Sequence, residues 1–171
     1  VNKEPSDLIK QLVGKIGGKE MILITGHRRE NHGDGFIRIC EAIKEIAQDN
    51  TDRLIVYPVH LNPKVQEPVK RILTDVANVL LIAPLAYQDF IWMMNRSRII
   101  ITDSGGVQEE APSLGKPVLV MRYTTERPEA INAGTVILVG TDTDLIVSET
   151  LDLINNKERF NRMSELHNPY G

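Results

Sequence analysis

Ile99-Ile100-Ile101-Thr102-Asp103-Ser104-Gly105-Gly106-Val107-Gln108-Glu109-Glu110 reads as a strand, a small polar turn, a glycine pair and the start of a helix. The β-branched run stops abruptly at Asp103-Ser104, and two residues without side chains follow. An α/β sheet presents bare backbone N–H groups to an anion in this way. A helix that starts at the glycines directs its positive end at the same point.

Outward from that stretch the chain repeats the same alternation. Six short apolar runs, Met21–Thr25, Leu54–Tyr57, Val79–Ala83, Ile99–Thr102, Val118–Met121 and Val136–Val139, are nearly continuous, as strands covered on both faces should be. Helical patterns separate them. A first helix from Pro5-Ser6 is predicted to end at Val13, before Gly14. A second has Asp34 as N-cap and Phe36, Ile39, Cys40, Ile43 and Ile46 on one face. A third starts at Asn62-Pro63 and runs to about Asp75, with Pro68 expected to break its first turn. Further helices are predicted over Tyr87–Asn95, from the glycine pair to Leu114, over Glu126–Ala133, from a cap at Thr141 or Asp142 to about Ile154 and over Lys157–Leu166. The prediction is a doubly wound, mostly parallel, Rossmann-like α/β sheet of about six strands.

Composition bounds the function. At 171 residues the chain is one domain by length, with 42% hydrophobic and 25% charged residues. A formal net charge of −3 argues against a nucleic-acid partner. No apolar run is long enough to span a bilayer. The single cysteine, Cys40, suits a reducing compartment, and a cytoplasmic location is expected. The ends, at Val1 and Gly171, read like those of a piece cut from a longer protein.

Ligands of such sheets sit outside the carboxyl ends of the strands, so the residues after each run matter most. Gly26-His27-Arg28-Arg29-Glu30-Asn31 forms a cationic lip, although a solvated turn would have the same composition. His27, Glu30 and His32 lack a standard metal-ligand spacing. His60 follows the second strand, and Leu85 and Phe90 follow the third. Ser104, Gly105 and Gly106 cradle an anion, and Glu110 lies about 9 Å further along the helix axis, in reach of a ribose. Arg127 is misplaced at a helix start unless an anion shares the site. A hydrolase elbow would need glycine where Thr102 stands. No phosphate-loop signature occurs.

Five motifs taken together, Gly26–Asn31, Tyr57–Pro63, Thr102–Ala111, Gly115–Leu119 and Thr124–Glu129, closely resemble the non-hydrolysing UDP-N-acetylglucosamine 2-epimerases. The resemblance covers essentially the whole chain. It implies that residues 1–171 are the C-terminal, UDP-binding half of a two-domain, glycosyltransferase-B type enzyme whose N-terminal Rossmann-like half is absent from this chain. It further implies interconversion of UDP-N-acetylglucosamine and UDP-N-acetylmannosamine by elimination and re-addition of UDP, without a cofactor, for cell-surface polysaccharide synthesis. By the family pattern Ser104, Gly105 and Gly106 hold the diphosphate and Glu110 the ribose. Leu85 and Phe90 lie near the uracil, and His27 and Arg127 lie in the substrate site, with His27 stabilising the leaving diphosphate or moving a proton. Arg28 and His60 match positions of a regulatory site. A homodimer is expected of the whole enzyme, and no turnover of this piece alone. A glycosyltransferase donor domain and a non-catalytic UDP-sugar sensor remain the alternatives at this point.

Overall fold

The computed structural model of the chain describes residues 6–26, 28–124, 128–132 and 134–165. Six strands, β1 (Met21–Thr25), β2 (Leu54–Pro58), β3 (Val79–Ile82), β4 (Ile99–Thr102), β5 (Val118–Val120) and β6 (Val136–Leu138), form one sheet in the order β3-β2-β1-β4-β5-β6. Every neighbouring pair is parallel. The order runs outward in both directions from β1 and β4, so the sheet is doubly wound with its switch point between those two strands.

Among the described residues eight α-helices flank it: α1 (Asp7–Ile16), α2 (Asp34–Asp49), α3 (Pro63–Leu73), α4 (Tyr87–Arg96), α5 (Gly105–Ser113), α6 (Pro128–Asn132), α7 (Thr143–Asn155) and α8 (Lys157–Glu165). Alternate strand residues feed two cores. Ile22, Ile24, Ile99 and Ile101 pack with α2, α3, α7 and α8 on one face. Met21, Leu23 and Ile100 pack with α1, α4 and α5 on the other. Burial on both faces explains why the strands read as continuous apolar runs rather than alternating ones.

Three local expectations are corrected. Helix α1 continues through Gly14 to Ile16 because Ile9, Leu12 and Ile16 form one buried stripe, and Gly17, at φ 57°, supplies the stop. Gly33, at φ 83°, is the N-cap of α2, and Asp34 is its first helical residue, where a carboxylate favours the helix dipole. Pro68 does not break α3. The amide hydrogen it lacks would have bonded the carbonyl of Lys64, an exposed residue whose oxygen water can satisfy, while its ring is buried with Val65 and Val69. The expected helix over Glu126–Ala133 is seen as α6, and residues 125–127 and 133 lie outside the described ones.

Cys40 is fully buried on α2, as its position on the apolar stripe requires. Burial pushes its thiol up from an ordinary 9.0 to about 12. Burial also holds the Tyr57 phenol well above its ordinary 10.0. Both groups stay neutral in the folded chain at a pH where the unfolded chain ionises. The Cys40 contribution to stability is therefore whole below about pH 9 and lost as pH climbs toward 12, and that of Tyr57 starts to fall only above its ordinary 10.0, each by at most about 1.4 kcal/mol per pH unit. Cys40→Ala is expected to flatten the alkaline fall of the urea midpoint. An unchanged slope in the variant would contradict this.

Candidate nucleotide site

Strands β1 and β4 end level with each other. Thr25 pairs with Thr102 in the ladder, and their hydroxyl oxygens are 2.6 Å apart in a buried hydrogen bond. The Thr102 hydroxyl also accepts from the backbone N–H of Ser104 at 2.9 Å, which turns the chain sharply out of the sheet. Ser104 is the N-cap of α5, and its side chain accepts from the N–H of Val107. Gly105 and Gly106 are then the first two helical residues, and no acid stands in the first turn of α5 to offset its positive end. A Cβ at Gly106 would meet only Ser104 Oγ, at 3.9 Å. The protein's own packing leaves room for a side chain there, so the backbone at Gly106 stands open.

A cleft of about 240 Å³ opens beside this turn, lined by Thr25, Gly26, Pro58, His60, Pro84, Leu85, Phe90, Ser104 and Val107. Leu85 and Phe90 are half-buried and pack against the α1/α4/α5 core, which gives the cleft an apolar wall next to its anion turn. His60 stands on the opposite rim, where its Nδ1 accepts from the N–H of Asn62 at 3.1 Å. Glu110, one and a half turns along α5, accepts a hydrogen bond from the Tyr87 hydroxyl at 3.3 Å. The Glu110 charge raises the Tyr87 phenol above its ordinary value. Tyr87 is 68% exposed at the start of α4, so its ring serves the rim rather than the core.

Beneath the turn lies a buried carboxylate. Asp103 is fully buried, and its Oδ2 accepts from the backbone N–H of Arg28 at 2.9 Å and from Asn31 Nδ2 at 3.4 Å. Tyr57 reaches under the same loop and donates to the carbonyl of Gly26 at 2.9 Å. The loop after β1 is thus held from below by side chains of β2 and of the β4 turn. His27 and Arg127, two of the expected substrate residues, lie outside the described ones. Asp103, Tyr57 and Tyr87 escaped the sequence reading as site residues. For Asp103 and Tyr57 no local pattern marks them, since their partners are 75 and 31 residues away.

A larger groove of about 590 Å³ runs between α2 and α3, lined by His32, Gly33, Ile37, Pro63, Lys64, Glu67 and Pro68. It is mainly apolar, and the starts of α2, at Gly33, and of α3, at Pro63, border it without the glycine pair and strand-end position of the smaller cleft. Chemistry, not size, selects the strand-end cleft. Among the described residues no three His, Cys, Asp or Glu side chains gather as a metal site, and no helix is long and apolar enough to cross a membrane.

Fold and cleft together define a doubly wound α/β domain with an open cleft at its β1/β4 switch point. Residues 2–171 match the UDP-N-acetylglucosamine 2-epimerase family, and the chain belongs to it. It is 58% identical over 166 residues to the UDP-N-acetylglucosamine 2-epimerase of Salmonella typhimurium, a match that covers 97% of this chain and 44% of the relative. The corresponding figures for the Escherichia coli K12 enzyme are 61% over 153 residues, 90% and 41%. The crystal structure of the Neisseria meningitidis UDP-GlcNAc 2-epimerase bound to UDP-GlcNAc superposes with a TM-score of 0.90 at 48% identity, over 96% of this chain and 46% of that one. The chain therefore spans less than half the length of these relatives.

Proposed function

We propose that this chain is the C-terminal, UDP-holding half of an enzyme that interconverts UDP-N-acetylglucosamine and UDP-N-acetylmannosamine. The observation that carries the reading is that a helix start with no acid in its first turn, a glycine pair following the Ser104 cap and an apolar wall of Leu85 and Phe90 stand beside one cleft at the switch point. Backbone N–H groups of Gly105 and Gly106 with the Ser104 hydroxyl take the diphosphate, and Glu110 takes the ribose hydroxyls. Leu85 and Phe90 flank the uracil. By the resemblance to the family, His27 and Arg127 act in the substrate site. Arg28 and His60 belong to a regulatory subsite, as the resemblance to the family implies.

The reaction removes the proton at carbon 2 and breaks the bond between carbon 1 and UDP, which leaves 2-acetamidoglucal. A proton then returns to the opposite face of carbon 2, and UDP re-forms its bond to carbon 1. This half supplies the grip on the leaving diphosphate, where developing negative charge gains most from fixed donors and from His27. The carboxylates that act on carbon 2 come from an N-terminal half, and the complete enzyme is a cytoplasmic homodimer. Full-length protein incubated with UDP-N-acetylglucosamine in deuterated water should form the manno epimer with deuterium at carbon 2, and residues 1–171 alone should form none. Turnover by the isolated chain would contradict the division of labour. Transfer of the sugar to an acceptor without epimerisation would replace this reading with a glycosyltransferase.

A further inference from the structure

The three segments assigned to the ligand leave three different strands, and a buried pair of side chains joins them. Asn31, only 8% exposed, donates from Nδ2 to Asp103 Oδ2 and to the carbonyl of Met121, each at 3.4 Å. Asp103 also accepts from the N–H of Arg28 at 2.9 Å. Backbone bonds complete the frame, from the N–H of Asp103 to the carbonyl of Thr25 at 3.1 Å and from the N–H of Met121 to the carbonyl of Thr102 at 2.7 Å. Arg28 adjoins His27, Asp103 adjoins Ser104, and Met121 opens the segment that runs to Arg127. One amide and one carboxylate thus touch the ends of β1, β4 and β5 at once.

A carboxylate is an expensive choice for that place. Burying it costs several kcal/mol unless it is well bonded, and an apolar residue of similar volume would stabilise the fold as well or better. Its charge also sits one residue from a turn that receives a diphosphate, where a negative group opposes binding. Neither packing nor affinity accounts for it. What a bonded buried network does supply is a single fixed geometry.

We propose that Asn31 and Asp103 are positioning residues that lock the loop after β1, the turn after β4 and the end of β5 into one frame, so that the diphosphate and the groups acting on it hold their reactive spacing. The proposal rests on the function assigned above. It predicts an asymmetry. The UDP grip itself, made by Ser104, Gly105, Gly106 and Glu110, survives loss of the pair, and the chemical step does not.

The test uses the full-length protein with Asp103→Asn, Asn31→Ala and the double substitution. Each single change should lower kcat about 100-fold while UDP affinity stays within about threefold of the parent. The double variant should be no slower than the slower single one, because both changes undo the same lock. Hydrogen exchange over residues 26–31 should quicken about tenfold in each variant while strand β4 stays protected. UDP affinity falling in step with kcat would reduce the pair to a fold-supporting role and overturn the proposal, as would an unchanged kcat or multiplicative effects. If the parent protein neither binds UDP nor epimerises, the assigned function falls. Unchanged exchange over residues 26–31 would still refute the lock by itself, and Asn31→Ala decides the matter should Asp103→Asn fail to fold.

Discussion

Replacing Glu110 by alanine weakens UDP binding roughly 10- to 150-fold, the loss expected for a hydrogen bond to a charged group worth about 1.5–3 kcal/mol. The magnitude follows from position. Six residues of helix separate Glu110 from Ser104, about 9 Å of rise, which is the span between a ribose and the phosphates it carries. The Tyr87 hydroxyl already donates to one carboxylate oxygen, so the side chain is oriented before the nucleotide arrives. Calorimetric titration checks the expectation, and 2′-deoxy-UDP sharpens it. The parent should prefer UDP, and Glu110→Ala should bind the two nucleotides alike. Ser104→Ala loses a phosphate contact together with the cap of α5, which is worth about 0.5–2 kcal/mol of stability by itself. Its effect on UDP is therefore read beside its unfolding curve. Equal UDP affinity in parent, Glu110→Ala and Ser104→Ala would remove the nucleotide from this cleft.

Phe36→Ala is expected to destabilise the chain by about 3–5 kcal/mol, a large share of the 5–15 kcal/mol typical of a domain. Phe36 is fully buried on the first turns of α2, and its ring lies 5.5 Å from that of His32, centroid to centroid. It also lies under the loop that follows β1. A Cβ built on Gly26 would come within 3.7 Å of the Phe36 ring, 3.2 Å of the Tyr57 hydroxyl and 3.3 Å of the Met121 methyl. Truncation opens a cavity below the ligand loop, in a place where backbone held by Tyr57 and Asp103 cannot collapse into it. Urea unfolding followed by circular dichroism measures the loss. A cost under about 1 kcal/mol would mean that α2 is not packed on β1 as described.

Much of this architecture was legible before any coordinates. The six apolar runs became the six strands within one residue at their ends, because doubly covered parallel strands leave a signal that local residues carry alone. The glycine turn was legible for the same reason, since Ser104-Gly105-Gly106 combines a cap, a bare backbone and a helix start in three consecutive residues. The misreadings were local contests settled by tertiary packing. Gly14 looked like a stop until Ile16 proved to share the buried stripe of α1, and Pro68 looked like a break until its ring proved buried. Asp103 was quoted as part of a turn and not as a lock, because its meaning lies in Arg28 and Asn31, more than 70 positions away. Tyr87, at helical spacing from Phe90, reads more readily as a core aromatic, and its exposure beside Glu110 corrects that.

The central claim is that a UDP diphosphate rests on the turn after β4. Backbone amide shifts recorded during a UDP titration test it most directly. The account predicts saturable shifts, largest at Ser104, Gly105 and Gly106, with smaller ones at Leu85 and Phe90 and none over His32, Lys64 and Glu67 in the groove between α2 and α3. Shifts concentrated in that groove, with the glycine amides unmoved, would contradict it.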